Sequence, residues 1–308
     1  MTIEELNTYV ETGAIDELIR VAEARQCKAL SHIADAITMR GNVRLVLLAG
    51  ASSAGKTTTA KRLCTQIRVN GLEAIHLSTD DYFVGNSRNP RDENGDFDYE
   101  TIECVDMPRL AHDINALMAG KSIHARRFSF ADHEGFDEKG ETSLPPDGVV
   151  VLEGLHALNP RLTEGVSDGV KFRLFIEPIT QPEVFAAVCL SPNDARLLRR
   201  LVRDHQYRKV TPYDTFMMWP KVLAGEKKWI NPFRAIADAE FDSSLCYELA
   251  VIKPYVAGLL EMVQRKHPEI ARAKALANLL AVVRETDSTK VPGDSILRET
   301  IGGSQLEY

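Results

Sequence analysis

No stretch of the 308 residues approaches the 18 or more apolar positions that a bilayer-crossing helix requires. Cysteine is scarce and poorly placed for cross-linking. The five residues Cys27, Cys64, Cys104, Cys189 and Cys246 are odd in number, scattered and never form a C-x-x-C pair. This argues for a reducing compartment and against a structural zinc. The eight histidines show neither H-x-x-x-H nor H-E-x-x-H spacing, which removes the usual imidazole metal sites. A basic excess is also missing. With 37 Lys and Arg against 44 Asp and Glu, the net charge is −7, so no chain-wide surface exists for nucleic acid or anionic lipid, and any phosphate chemistry must come from local clusters. The opening MTIEEL lacks the basic and apolar regions of a secretion signal. These absences predict a cytoplasmic enzyme that acts on a small molecule, with no nucleic-acid or membrane partner and with self-association left open.

Residues 14–40 carry apolar positions at helical spacing (Leu18, Ile19, Ala22, then Leu30, Ile33, Ala34, Ile37), broken near 25–27 and ending at Gly41-Asn42. The period then changes. Residues 43–49 form an apolar run too short for a helix and suited to a strand buried on both faces. Similar runs return at 74–77, 149–152 and 172–176, with helical patterns at 56–69 and 107–118 between them. This alternation predicts a doubly wound α/β fold, a mainly parallel sheet with helices on both faces, preceded by a helical lead-in and followed by a helical C-terminal part. The expected organisation is a helical extension over 1–42, an α/β domain over 43–290 and a tail over 291–308. Residues 80–101 are polar and irregular, 122–144 suit a hairpin, and 211–228 and 253–285 read as long helices.

Gly50-Ala-Ser52-Ser53-Ala54-Gly55-Lys56-Thr57 matches the phosphate-binding loop G-x-x-x-x-G-K-[ST] and falls between a strand and a helix, where its mechanism needs it. Consecutive backbone N–H groups and the helix's positive end neutralise phosphate, Lys56 reaches the β and γ oxygens, and the Thr57 hydroxyl ligates Mg²⁺. Thr58 extends the cradle. Val149–Val151, Leu152 and Glu153 form an apolar strand that ends in a carboxylate suited to the Mg²⁺ shell. Asp80 follows another strand and could take a proton from an attacking hydroxyl while facing the same metal, although a carboxylate there could equally cap a turn. Residues 196–209 hold Arg196, Arg199, Arg200, Arg203, Arg208 and Lys209. On a helix, Arg196, Arg200 and Arg203 share one side, opposed by Leu197, Leu198, Leu201 and Val202. The pattern fits phosphate clamping or a merely solvated charged face.

With these elements in this order, the chain resembles the uridine kinase branch of the phosphoribulokinase/uridine kinase family, P-loop kinases of a sugar or nucleoside hydroxyl. The resemblance covers residues 43–255, and its most specific pieces are the phosphate loop, LSTDDYF, VVLEG and RLLRRLVRD. It implies ATP and Mg²⁺ as cofactors, a P-loop NTPase-type sheet, a lid helix over 193–210 and phosphorylation of uridine or cytidine at the 5′-hydroxyl, as in pyrimidine salvage. By position, it implies Asp80 as catalytic base, Phe83 near the acceptor and Asp98 on the ribose hydroxyls. It further implies Phe128, Phe130 and His133 around the pyrimidine, with Arg200, Arg203 and Arg208 as lid arginines. Two positions depart from the pattern. Val210 stands where a second lid arginine is expected, and Tyr99-Glu100 where His-Pro is expected. A sugar or sugar-phosphate kinase, and an ATP-binding switch or assembly protein without a small acceptor, are the alternative readings.

Overall fold

The computed structural model describes residues 1–93, 95–129, 132–179, 183–184, 188–267 and 270–307, without the side chains of 183–184 and 188–189. Two helices open the chain, α1 (Ile3–Glu11) and α2 (Ile15–Met39). The acidic opening serves α1 as a capping box: the Thr2 side chain accepts from Glu5 N–H, and the Glu5 carboxylate accepts from Thr2 N–H. Helix α2 runs unbroken through 25–27. Its apolar period lapses there because Glu23 and Gln26 are buried polar residues with distant partners: Glu23 accepts from the Tyr247 hydroxyl and Gln26 from Arg62.

The chain then alternates through β1 (Leu45–Gly50), α3 (Lys56–Val69), β2 (Ala74–Ser78) and α4 (Met107–Met118). A hairpin of β3 (Ile123–Ser129) and β4 (Glu134–Thr142) precedes β5 (Val149–Gly154) and β6 (Lys171–Glu177). A short ribbon, β7 (Glu183–Val184) with β8 (Val188–Cys189), leads into α5 (Pro192–Tyr207) and α6 (Pro212–Trp229). The remainder is β9 (Ala239–Asp242), α7 (Glu248–Lys266), α8 (Ala271–Ala281) and the single turn α9 (Arg298–Ile301). The pattern expected as one helix over 253–285 is thus two helices, and β9 is a strand the sequence does not advertise.

The main sheet has the order β2-β5-β1-β6-β9, and every pair in it is parallel. Residues of β1 alternate between two cores, as the period of two requires. Leu45, Leu47 and Ala49 join α4 in one core, while Val46 and Leu48 join α2 and α3 in the other. A third core gathers α1, the first half of α2, α5, α6, α7, α8 and Leu297 and Ile301 near the end of the chain. The lead-in and the last residues are therefore packed into the same structure as the sheet.

Candidate active site

All five strands of the sheet point their carboxyl ends the same way, and the ligand crevice of an open α/β sheet lies there. The phosphate loop leaves β1 at Gly50, where an added Cβ would come within 2.3 Å of the Ile176 carbonyl oxygen, so glycine keeps β1 and β6 in register at the loop's root. Ser53 and Gly55 have positive φ of 60° and 88°, which turns the loop's N–H groups inward before α3 starts at Lys56. Lys56 Nζ donates to Ala51 O at 3.2 Å, folded over the loop it serves.

Glu153 is the penultimate residue of β5 and is 2% exposed. It accepts from Thr57 Oγ1 at 2.9 Å and from Ser78 Oγ at 2.8 Å, with His76 Nε2 at 3.7 Å. Burial alone would raise its carboxyl, but His76, Lys56 and Ser78 outweigh that and hold it below the usual range. Gly154 lets the next turn approach, since a Cβ there would lie 1.8 Å from Thr79 Oγ1. That turn, 79–82, delivers Asp80 to the cavity. Burial, then the charge of Glu153, push the Asp80 carboxyl up against the opposing pull of Lys56, Arg208 and Arg203. Two carboxyls of opposite tendency thus stand beside one lysine. Such a pair can divide into a metal-holding carboxylate and a proton acceptor. Thr57, Glu153 and Asp80 supply the hard oxygen donors that suit Mg²⁺.

A cavity of about 620 Å³ joins these groups to the acceptor candidates. Its lining includes Ser52, Ser53, Gly55, Lys56, Thr57, Asp80, Phe83, Phe128, His133, Glu153, Arg200, Arg203 and Arg208. Phe83 and Phe128 meet edge to face with centroids 5.6 Å apart. The hairpin that carries Phe128 is tied to the 79–82 turn by Asp81, which accepts from Phe128 N at 3.3 Å and pairs with Arg127 at 3.5 Å. Burial pushes the Asp81 carboxyl up to about 6. Phe130 lies outside the described residues. Gly50, Ala54 and Thr58 form the loop's frame without being part of the cavity lining.

The structure places Asp98 behind that lining rather than on it: its Oδ1 accepts from Glu100 N at 3.0 Å. Glu100 itself lines the cavity, with Oε2 buried and no hydrogen-bond partner among the described residues. Its carboxyl is pushed up to about 7 by burial, against the pull of Arg200.

The arginine helix divides its labour. Arg196 and Arg199 are each 1% exposed and pair with buried Glu226 and Glu248, which excludes a solvated face there. They also brace the phosphate loop from behind, Arg196 donating to Ser52 O at 3.1 Å and Arg199 to Ser53 O at 3.5 Å. Arg196 therefore leaves the stripe that it shares by helical angle with Arg200 and Arg203. Arg200 donates to Ser52 Oγ at 2.9 Å and faces the cavity with Arg203 and Arg208. These three converge on Asp204, at 3.1, 2.8 and 3.9 Å. Despite burial, their charges, that of Arg203 foremost, keep the Asp204 carboxyl below its usual range. Crowding by Arg203, with burial, lowers the Arg208 guanidinium to about 10. Asp204 is a site residue that motif reading misses, although its spacing of four from both Arg200 and Arg208 was a readable signal.

A parallel sheet with a phosphate loop, a carboxylate near the carboxyl end of a strand and an arginine-bearing helix facing the same cavity defines a P-loop phosphotransferase. The model of the Phosphoribulokinase / Uridine kinase family matches residues 45–249, about two thirds of the chain, and the protein belongs to that family. The chain is 27% identical over 203 residues to a uridine kinase of Deinococcus deserti, covering 65% of this chain and 88% of that protein. It is 25% identical over 197 residues to a uridine kinase of Tolumonas auensis, covering 63% and 84%. Among solved structures, that of a possible uridine kinase from Bacillus stearothermophilus shares 18% identity at a TM-score of 0.41, covering 65% of this chain and 89% of that one. The protein is an ATP-dependent kinase with a small-molecule substrate. Among the described residues, no helix is long and apolar enough to cross a membrane.

Proposed function

We propose that the protein transfers the γ-phosphoryl group of Mg-ATP to the 5′-hydroxyl of a pyrimidine ribonucleoside, uridine or cytidine, in the cytoplasm. The observation that carries this reading is the cavity that joins Lys56, Thr57 and Asp80 to the Phe83–Phe128 pair and His133. An aromatic pair beside a histidine offers a flat apolar slot with one polar edge, which suits a pyrimidine better than a bare pentose. The uridine kinases that resemble the chain point the same way.

In this reading Asp80, its proton affinity raised by burial and by Glu153, takes the proton from the 5′-hydroxyl as the oxygen attacks. The N–H groups of residues 50–57 and Lys56 hold the β and γ oxygens in line with that hydroxyl. Thr57, Glu153 and Asp80 would hold Mg²⁺, which when bound neutralises phosphate charge. Arg200, Arg203 and Arg208 bear on the charge that spreads over the transferring group, and Asp204 fixes their spacing. The ribose hydroxyls meet the 98–100 turn. Asp98 is the carboxylate that the family pattern assigns to them, and Glu100 is the one on the cavity wall.

A coupled assay of ATP consumption over nucleosides, pentoses and sugar phosphates tests the reading. Turnover with uridine or cytidine, and poor turnover with 2′-deoxyuridine, is the expected result. Equal use of a bare pentose or a sugar phosphate would replace the nucleoside with a sugar acceptor. ATP binding without turnover of any acceptor would leave a nucleotide switch.

A further inference from the structure

Glu299 lines the same cavity as Lys56 and Thr57, yet it lies 50 residues beyond the segment matched by the family model. It stands on the single turn α9, and the segment around it is fixed rather than draped. Ile296, Leu297 and Ile301 are buried, and the Arg298 guanidinium donates to the carbonyls of Ser288, Val291, Pro292 and Gly302. Ser295 Oγ lies 3.4 Å from the Tyr247 hydroxyl, which in turn is bound to Glu23 of α2.

This segment touches the phosphate loop and the lid helix at once. A Cβ on Gly55 would come within 2.4 Å of Ile296 Cγ2, so Ile296 roofs the last glycine of the loop. A Cβ on Gly302 would lie 2.7 Å from the hydroxyl of Tyr207, the last residue of α5. Between these contacts Glu299 Oε2 accepts from Thr58 Oγ1 at 3.0 Å, one residue past Thr57 of the proposed Mg²⁺ site. Arg199, buried behind, feels the Glu299 charge.

A nucleotide whose phosphates lie on residues 50–57 must extend its sugar along what else lines the cavity. A carboxylate beside Thr58 repels any further phosphate oxygen. It is also a strong acceptor for hydroxyl groups, and a carboxylate that takes nucleotide ribose hydroxyls is an established solution in other α/β folds. We propose that the C-terminal segment completes the donor site, with Glu299 accepting hydrogen bonds from the sugar hydroxyls of ATP. The proposal rests on ATP dependence and not on the identity of the acceptor.

Binding of ATP and of 2′,3′-dideoxy-ATP to the full-length protein, measured by isothermal titration calorimetry, tests it. The wild type should prefer ATP by about tenfold or more, as expected for loss of hydrogen bonds to a charged acceptor. Glu299→Gln, which preserves size, and Glu299→Ala should erase most of that preference by weakening ATP alone, while the acceptor KM stays within about twofold. A wild type that binds both nucleotides equally overturns the proposal without any variant. So does tighter ATP binding by Glu299→Gln, which would mean that the carboxylate competes with phosphate for α3. Neither result depends on which acceptor the enzyme uses.

Discussion

The buried pair of Arg199 and Glu248 gives the arginine helix a quantitative test. Arg199 Nε and Nη2 meet the two Glu248 oxygens in bidentate fashion, with neither side chain more than 6% exposed, and Nη2 also donates to Ser243 O at 3.0 Å. Arg199→Met removes the cation and leaves the Glu248 carboxylate uncompensated in the core, a change that typically costs about 3–5 kcal/mol. For 308 residues, about 2.1 cal/mol/K per residue gives an unfolding entropy of ~650 cal/mol/K, so the expected fall in Tm is ~5–8 °C. Arg199→Met combined with Glu248→Leu removes both charges and should recover most of the loss. Arg203→Met supplies the contrast. Its guanidinium faces the cavity, so kcat should fall by about 10³-fold, the size of an arginine-finger effect, while Tm falls less than for Arg199→Met because Arg200 and Arg208 still neutralise Asp204. Circular dichroism melts and steady-state rates on the same preparations decide the matter. A single Arg199 variant that melts within 1 °C or so of wild type, or a double variant no better than the single, would refute the division between bracing and catalytic arginines.

Lys56→Ala should abolish phosphoryl transfer while the melt stays native, and near-normal turnover would sink the kinase mechanism. Asp80→Asn keeps the size but cannot take a proton, so kcat should drop by about 10² to 10⁴ while calorimetry still detects ATP binding. Glu100, raised to about 7 in the folded state, holds its proton in the native protein at a pH where the unfolded chain has lost it. Its contribution therefore diminishes stability as pH rises from the ordinary glutamate range through about 7. Glu100→Gln should melt above wild type at pH 8 and alongside it near pH 5; coincident melts at both would show that burial of the carboxyl carries no penalty.

Where the sequence was legible, one local rule acted alone. The apolar run of β1, the phosphate loop and the start of α3 at Lys56 follow from period and turn chemistry, and Lys56–Val69 and Met107–Met118 have the bounds their patterns predict. Tertiary partners account for the misses. The lapse near residue 25 looks like a helix end only until Tyr247 and Arg62 are seen to satisfy Glu23 and Gln26. Four residues are too few for a period to emerge in β9, whose identity comes from pairing with β6. The arginines of α5 share a composition but not an environment. Position on the helix orients them, while Glu226 and Glu248, 30 and 49 residues downstream, decide which are withdrawn from the cavity. Glu299 falls in the segment expected to be a tail, and nothing in its sequence ties it to the phosphate loop, because that link is spatial.

That link spans 241 residues between Thr58 and Glu299. During synthesis the strands and the phosphate loop emerge first and can pair among themselves, whereas Ile296 can roof Gly55 only after about 240 further residues have emerged. A contact of such sequence separation forms late and slows folding. The phosphate cradle can thus be built before Ile296 and Glu299 reach it, and if Glu299 takes the nucleotide sugar as proposed, tight ATP binding waits for residues 296–301 to dock.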